Sequence, residues 1–241
     1  SRGHNIIILD KKRKTNQTYL PKKIKIYYCD INSEKSLLKI KIKKSNILIH
    51  CAAQPSAAKS FEIPKIDLET NIIGTFNLIN WSKRNHTQKI IYASTFNVYE
   101  ENSKSFILNE ESKCKPKSLY AISKLTAENY IRIYANYLGI KWNIIRMFNI
   151  YGPGQDPNNK FLGMINIFLN MAKKDPQIIV KGSLNRFRDF VFINDVIKAW
   201  TLVIEDKKHF NEIYNVGSGK KTTIKFLLKN ISLILKKKLI V

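Results

Sequence analysis

The chain has 241 residues, 42 basic against 18 acidic side chains, a formal charge of +24 and 44% apolar residues. That length and apolar content support a real core and exclude intrinsic disorder. Three cysteines (Cys29, Cys51, Cys114) exclude a disulfide scaffold and point to a reducing, cytoplasmic setting, and no apolar run reaches the roughly 18–20 residues of a membrane span.

Charge of this size suggests a nucleic-acid partner. Lysine, however, outnumbers arginine 35 to 7 and joins 37 Ile and 24 Asn, a composition biased towards A/T-rich codons. Phosphate- and base-reading surfaces draw more on the planar Arg fork. We therefore expect neither a nucleic-acid nor a membrane partner.

In chain order, short apolar runs predict strands at Asn5–Leu9, Ile24–Tyr28, Asn46–His50, Lys89–Ala93, Trp142–Met147 and Ile213–Val216. Helical spacing fills the intervals at Glu34–Lys43, about Ile66–Arg84, Leu119–Leu138, Met164–Lys174, Asp195–Glu205 and Thr223–Lys236. Turn formers and charges place loops at Glu100–Lys117 and Tyr151–Gly163. This alternation predicts an α/β fold with a doubly wound parallel sheet. Runs such as Ile6-Ile7-Ile8-Leu9 fit strands buried on both faces.

Such sheets bind ligands at the carboxyl ends of their strands. Those ends read Asp10, Cys29-Asp30, His50-Cys51-Ala52-Ala53, Ser94-Thr95 and Asn149. Tyr120 and Lys124, four apart, share one face of a predicted helix. A phenol with pKa near 10 needs a fall of about three units to act as a base at neutral pH, and a neighbouring ammonium pulls in that direction. The spacing also occurs at Tyr19/Lys23, interrupted by Pro21, and at Tyr137/Lys141, across Gly139. Only Tyr120/Lys124 opens a long helix after a strand ending in hydroxyl residues.

The ordered set of segments covers nearly the whole chain. It runs Gly3-His4-Asn5 to Asp10, Cys29-Asp30-Ile31, His50-Cys51-Ala52-Ala53-Gln54, Asn71-Ile72-Ile73-Gly74-Thr75, and Ala93-Ser94-Thr95 to Val98-Tyr99. It continues with Tyr120-Ala121-Ile122-Ser123-Lys124, Arg146-Met147-Phe148-Asn149-Ile150-Tyr151-Gly152-Pro153, Arg188-Asp189-Phe190-Val191 and Asn215-Val216-Gly217. In this order it resembles the extended short-chain dehydrogenase/reductase family, also called the NAD-dependent epimerase/dehydratase family.

The resemblance implies a Rossmann-type NAD-binding domain over residues 1–150, with 190–217 returning to it. Residues 151–189 and 218–241 would form part of a smaller substrate-binding lobe. Asp10 would accept from the adenosine ribose hydroxyls, which favours NAD, although Lys11, Lys12 and Arg13 could attract a 2′-phosphate. Asp30 and Ile31 would contact adenine, and Ala52, Ala53 and Asn71 would line the cofactor cleft together with Ser94 and Phe148. Thr95 would hydrogen-bond the sugar hydroxyl, Tyr120 would take its proton, and Lys124 would hold the nicotinamide ribose and tune Tyr120. Asn149 and Arg188 would grip the diphosphate of a nucleotide-sugar substrate, expected to be UDP-linked. Family analogy implies a homodimer through Ile66–Arg84 and Leu119–Leu138, and no metal.

Sugar dehydratases of this family carry an Asp-Glu pair after the catalytic Thr, because eliminating water needs a further acid and base. Here Phe96-Asn97 follows Thr95. The stretch from Gly154 to Pro157 and that from Lys181 to Phe190 look most like the nucleotide-sugar 4-epimerase branch. There a sugar hydroxyl is transiently oxidised through NAD and the hydride returns to the opposite face. The alternatives are a noncatalytic or truncated remnant, or another NAD-dependent nucleotide-sugar enzyme such as a decarboxylase or reductase. The family's GxxGxxG turn is not found, since only Gly3 precedes Asp10. The chain therefore reads as cut at both ends, and this piece is expected to bind NAD poorly. Three further expectations are quieter. His50 is read as a hydrogen-bonded strand-end residue, Cys29 and Cys51 as fillers of small apolar volumes, and Trp81 and Phe76 as a helical core stripe.

Overall fold

The computed structural model describes residues 3–11, 24–42, 44–100, 107–155 and 163–240. Tyr19, Lys23, Lys12, Arg13, Asp156 and Pro157 lie outside the described residues, as do parts of the two expected loops. The strands are β1 (Ile7–Asp10), β2 (Lys25–Tyr28), β3 (Ile47–His50), β4 (Lys89–Thr95), β5 (Lys141–Met147), β6 (Asn149–Tyr151), β7 (Phe187–Arg188), β8 (Phe190–Phe192), β9 (Glu212–Val216) and β10 (Thr222–Thr223). The helices are α1 (Glu34–Leu38), α2 (Ala57–Glu62), α3 (Pro64–Ile66), α4 (Gly74–Arg84), α5 (Leu119–Tyr130), α6 (Met164–Lys174), α7 (Ile193–Glu205) and α8 (Ile224–Leu235).

A four-stranded parallel sheet in the order β3-β4-β5-β9 forms the centre, and β1 and β2 make a separate parallel pair. The single expected sheet is thus two ladders among the described residues, with no hydrogen bonding between β1 and β3. Ile7 on β1 and Ile49 on β3 are correspondingly exposed. Two short pairs, parallel β6–β8 and antiparallel β7–β10, lie beyond the carboxyl end of β5.

β4 and β5 are buried almost throughout because helices cover both faces. One core joins Ile79 of α4 and Ala127 of α5 to Ile90, Tyr92, Trp142 and Ile144 of the sheet. A second joins α6 to α8 through Phe168, Ala172, Leu227 and Leu228. Cys29 packs with Leu37, Leu78 and Trp81 in a third, as expected for a small apolar filler.

Two predicted helices differ in detail. The helix expected at Glu34–Lys43 ends at Leu38, where Lys39 closes it with a tight turn back to Leu37. The long helix expected over Ile66–Arg84 is instead α3, a wider π-helical turn at Asp67–Ile73, and α4. A second π-helical turn, Ile131–Ala135, follows α5. Gly74 sits where the first π turn meets α4. A Cβ there would lie 2.7 Å from Cδ1 of Ile31, so glycine is what allows this close approach.

Candidate active site

Strand β4 and helix α5 bring the central pair together. Ser118 caps α5 by accepting from the Ala121 amide, which sets Tyr120 and Lys124 on the face turned to the sheet. Both are buried, at 8% and 3% exposure. Thr95, the last residue of β4, accepts from the Asn97 amide at 3.3 Å and from Asn97 Nδ2 at 3.0 Å. Its own proton is then free for the Tyr120 phenol, to which it hydrogen-bonds, and a donor there favours phenolate.

Electrostatics correct one expectation. The Tyr120 phenol is pushed up to about 12, not down: burial dominates, the Thr95 hydrogen bond opposes it, and the Asp67 charge adds to it. Burial also drives Lys124 down to about 7, against the pull of Cys51 and Glu128. The Lys124 ammonium lies over the Tyr92 ring, 4.1 Å from its centroid. In this state desolvation outweighs the mutual help that spacing alone predicts.

Two clefts share Pro55; Tyr120 lines the smaller of them, and Lys124, buried behind it, lines neither. The larger, about 680 Å³, is lined by Asp10, Asp30, Ile31, Ala52 and Ala53, together with Lys11, Cys51 and Gln54. The first five are among the predicted cofactor residues, brought together from the ends of three strands. The smaller, about 260 Å³, is lined by Thr95, Phe96, Asn97, Tyr120, Phe148, Asn149 and Gln155.

Several predicted residues fall elsewhere. Phe148, expected beside the cofactor, lines the smaller cleft. Its amide is tied to the Val216 carbonyl and its ring stacks on Phe96 at 5.1 Å. Asn71 lines neither cleft; it is buried and bonds Gln54 through both backbone groups, Asp67 Oδ1 and Ser123 Oγ. It therefore holds the loop that forms the cleft wall. Ser94 is buried with its hydroxyl donating to Glu128. Arg188 lines neither cleft, and its Nη1 donates to the Phe187 carbonyl at 2.8 Å. Cys51 is exposed in the larger cleft, not packed in an apolar volume. Lys11, one of three cations expected to attract a 2′-phosphate, pairs instead with Asp30 at 2.7 Å. His50 is buried and hydrogen-bonded to Thr75, as expected.

Sequence reasoning missed Asp189. Its carboxylate accepts from Ser218 N, Ser218 Oγ and Gly219 N, and its carbonyl accepts from Asn149 N and Nδ2. Asn149 is thereby fixed at the edge of the smaller cleft. It also missed the buried carboxylates Asp67 and Glu128, whose only sequence signal is helical spacing relative to Asn71 and Lys124.

A cleft across the strand ends of a parallel α/β fold, with a buried Thr-Tyr-Lys set close by, is the arrangement that the sequence resemblance implies. The chain belongs to the NAD dependent epimerase/dehydratase family, whose model matches residues 1–217, a family that binds nicotinamide dinucleotides and modifies nucleotide sugars. A Methanocaldococcus jannaschii protein provisionally named UDP-glucose 4-epimerase is 33% identical over 222 residues, 92% of this chain and 72% of that protein. The structure of Thermotoga maritima UDP-glucose 4-epimerase with UDP-glucose superposes with a TM-score of 0.89 and 31% identity, covering 98% of this chain and 76% of that one. Thermus thermophilus UDP-glucose 4-epimerase in complex with NAD gives 0.87 and 29%, covering 98% and 77%. Other relatives are matched over less of their length, 60% of one and 49% of another, and named activities include reduction and dehydration. No described helix is long and apolar enough to cross a membrane.

Proposed function

We propose that the protein is a nucleotide-sugar 4-epimerase that uses NAD and a UDP-linked hexose. The observation that carries this reading is that Thr95 and Tyr120 line the smaller cleft together, with Lys124 buried one turn along α5 from Tyr120. The larger cleft fits the adenosine end of a dinucleotide by its donor chemistry, with an acid at the end of β1 for ribose hydroxyls and small Ala52 and Ala53 where a backbone wall must lie close. The Lys11–Asp30 pair beside Asp10 favours NAD over its 2′-phosphorylated form. When bound, an oxidised nicotinamide supplies a hydride acceptor and a positive charge.

Tyr120 takes the proton from a sugar hydroxyl and later returns it. Thr95 orients that hydroxyl and donates towards the developing phenolate, and Lys124 holds the cofactor ribose. Asn149 holds the diphosphate. Arg188 joins it once its guanidinium leaves the Phe187 carbonyl. Phe96-Asn97 after Thr95 gives no acid–base pair for eliminating water, which favours epimerisation over dehydration. The exposed aromatic and aliphatic surface of α4, α5 and the π turn after it is proposed as the face of a homodimer.

Interconversion of UDP-glucose and UDP-galactose, followed by chromatography, tests the reading. Tyr120→Phe should lower kcat by on the order of a thousandfold or more. Undiminished turnover in that variant overturns the assignment of the base, and no turnover by the protein with NAD present overturns the activity.

A further inference from the structure

Helix α5 carries three buried ionisable side chains at four-residue spacing: Tyr120, Lys124 and Glu128. Glu128 is fully buried, one turn beyond Lys124. Its carboxylate accepts from the Ser94 hydroxyl and from Arg146, whose Nε lies 3.1 and 3.2 Å from the two oxygens and whose Nη2 lies 2.6 Å from Oε2. Ser94 and Arg146 are direct partners in the β4–β5 ladder, one step before Thr95 and Met147. Arg146 is held in turn on its far side, over the Tyr99 ring at 4.7 Å, and Tyr99 Oη donates to Asn215 of β9 at 2.7 Å.

A buried ion pair of this kind is often no more stabilising than well-packed apolar side chains in its place. What it supplies is direction: a carboxylate with three donors tolerates one placement of the helix on the strands, whereas an apolar contact tolerates sliding. We propose that Glu128 is a positioning residue for the Tyr120–Lys124 pair, holding α5 on β4 and β5 one register step below Thr95 and setting a negative charge one helical turn from Lys124.

Lys124 also meets the Tyr92 ring from β4, and Cys51 and His50 from the end of β3; Tyr120 shares its helix, with Asp67 near Tyr120 and Arg146 behind Glu128. Among these, Glu128 and Cys51 favour its charged form. The role rests on the reading of Tyr120 and Lys124 given above, yet one readout is independent of turnover.

In protein labelled with ¹³C-lysine, the Lys124 Cε resonance is the one missing from Lys124→Met, and its titration midpoint near neutrality sets it apart from exposed lysines. Two variants are compared with the wild type. Glu128→Gln removes the charge; the double variant Glu128→Leu/Arg146→Met replaces the pair with apolar side chains and leaves no orphaned ion. In both, the Lys124 midpoint should fall below its wild-type value, and kcat should drop on the order of tenfold to a hundredfold with KM within about twofold. An unchanged midpoint or an unchanged kcat in a folded variant overturns the proposal. So does a double variant that does not fold, because the pair would then be a requirement for folding and not for placement. If the wild type shows no turnover, the epimerase reading fails while the Lys124 midpoint still decides the electrostatic part.

Discussion

His50 Nε2 lies 2.8 Å from Thr75 Oγ1, and Thr75 gives its own proton to the Asn71 carbonyl at 2.6 Å. The hydroxyl can therefore only accept from His50, which fixes the Nε2–H tautomer of a neutral imidazole. Burial, with the Lys124 charge adding to it, drives this histidine down to about 3.

The consequence for acid stability has a definite sign. Between pH 6.5 and 3 the unfolded chain binds a proton at His50 that the folded chain does not, so stability falls as pH falls through that window. The slope contributed is at most about 1.4 kcal/mol per pH unit. Urea unfolding of His50→Gln over this range should show a slope shallower by about one proton. Equal slopes would place the imidazole proton elsewhere.

Lys124 carries the same logic into alkali. Its folded pKa near 7 lies below the 10.5 of an unperturbed lysine, so the unfolded chain holds the extra proton between those values. Stability should rise with pH from about 7 to 10.5 and level off above. In Lys124→Met that rise should be missing from thermal melts taken across the window.

Asn71 ties the Gln54 backbone to Ser123 and Asp67. Asn71→Ala leaves the Gln54 amide and carbonyl without the partners Asn71 gives them, takes one donor each from Asp67 and Ser123, and should cost about 1–3 kcal/mol, read as a lower urea midpoint. Because Gln54 walls the larger cleft, NAD affinity measured by calorimetry should weaken more than kcat falls. Wild-type affinity in the variant would show that the loop stands without it.

Phe76 stacks on Tyr134, which in turn stacks on Tyr137, and Ile133 and Tyr137 are 74% and 82% exposed. Contiguous exposed apolar surface is what protein–protein contacts bury. Sedimentation should find a dimer for the protein and a monomer for Ile133→Glu. A monomeric wild type would remove the dimer from the proposal.

Much of the layout was legible beforehand. Met164–Lys174 forms over the residues its spacing indicated, and the strands differ from expectation by one or two residues at their ends. Tyr137 is exposed and Lys141 begins β5, so that pair shares no helix face, whereas Tyr120 and Lys124 are both buried on α5. Other features were not legible because they depend on partners distant in sequence. Asn71 reads as a cleft residue until the π turn at Asp67–Ile73 swings it towards Gln54 and Ser123. Ser94 reads as a ligand contact until Glu128, 34 positions away, accepts its proton.

Periodic apolar residues, strand-end polar groups and helical spacing are local, so the sequence by itself determined the α/β class, the helix that carries Tyr120 and Lys124, and the acids and alanines of the larger cleft. Charge states and side-chain assignments are set by desolvation and by contacts between elements, and only the tertiary structure decided those. It raised the Tyr120 phenol, lowered Lys124, spent Lys11 on Asp30, and turned Asn71 and Ser94 from the clefts to the framework behind them.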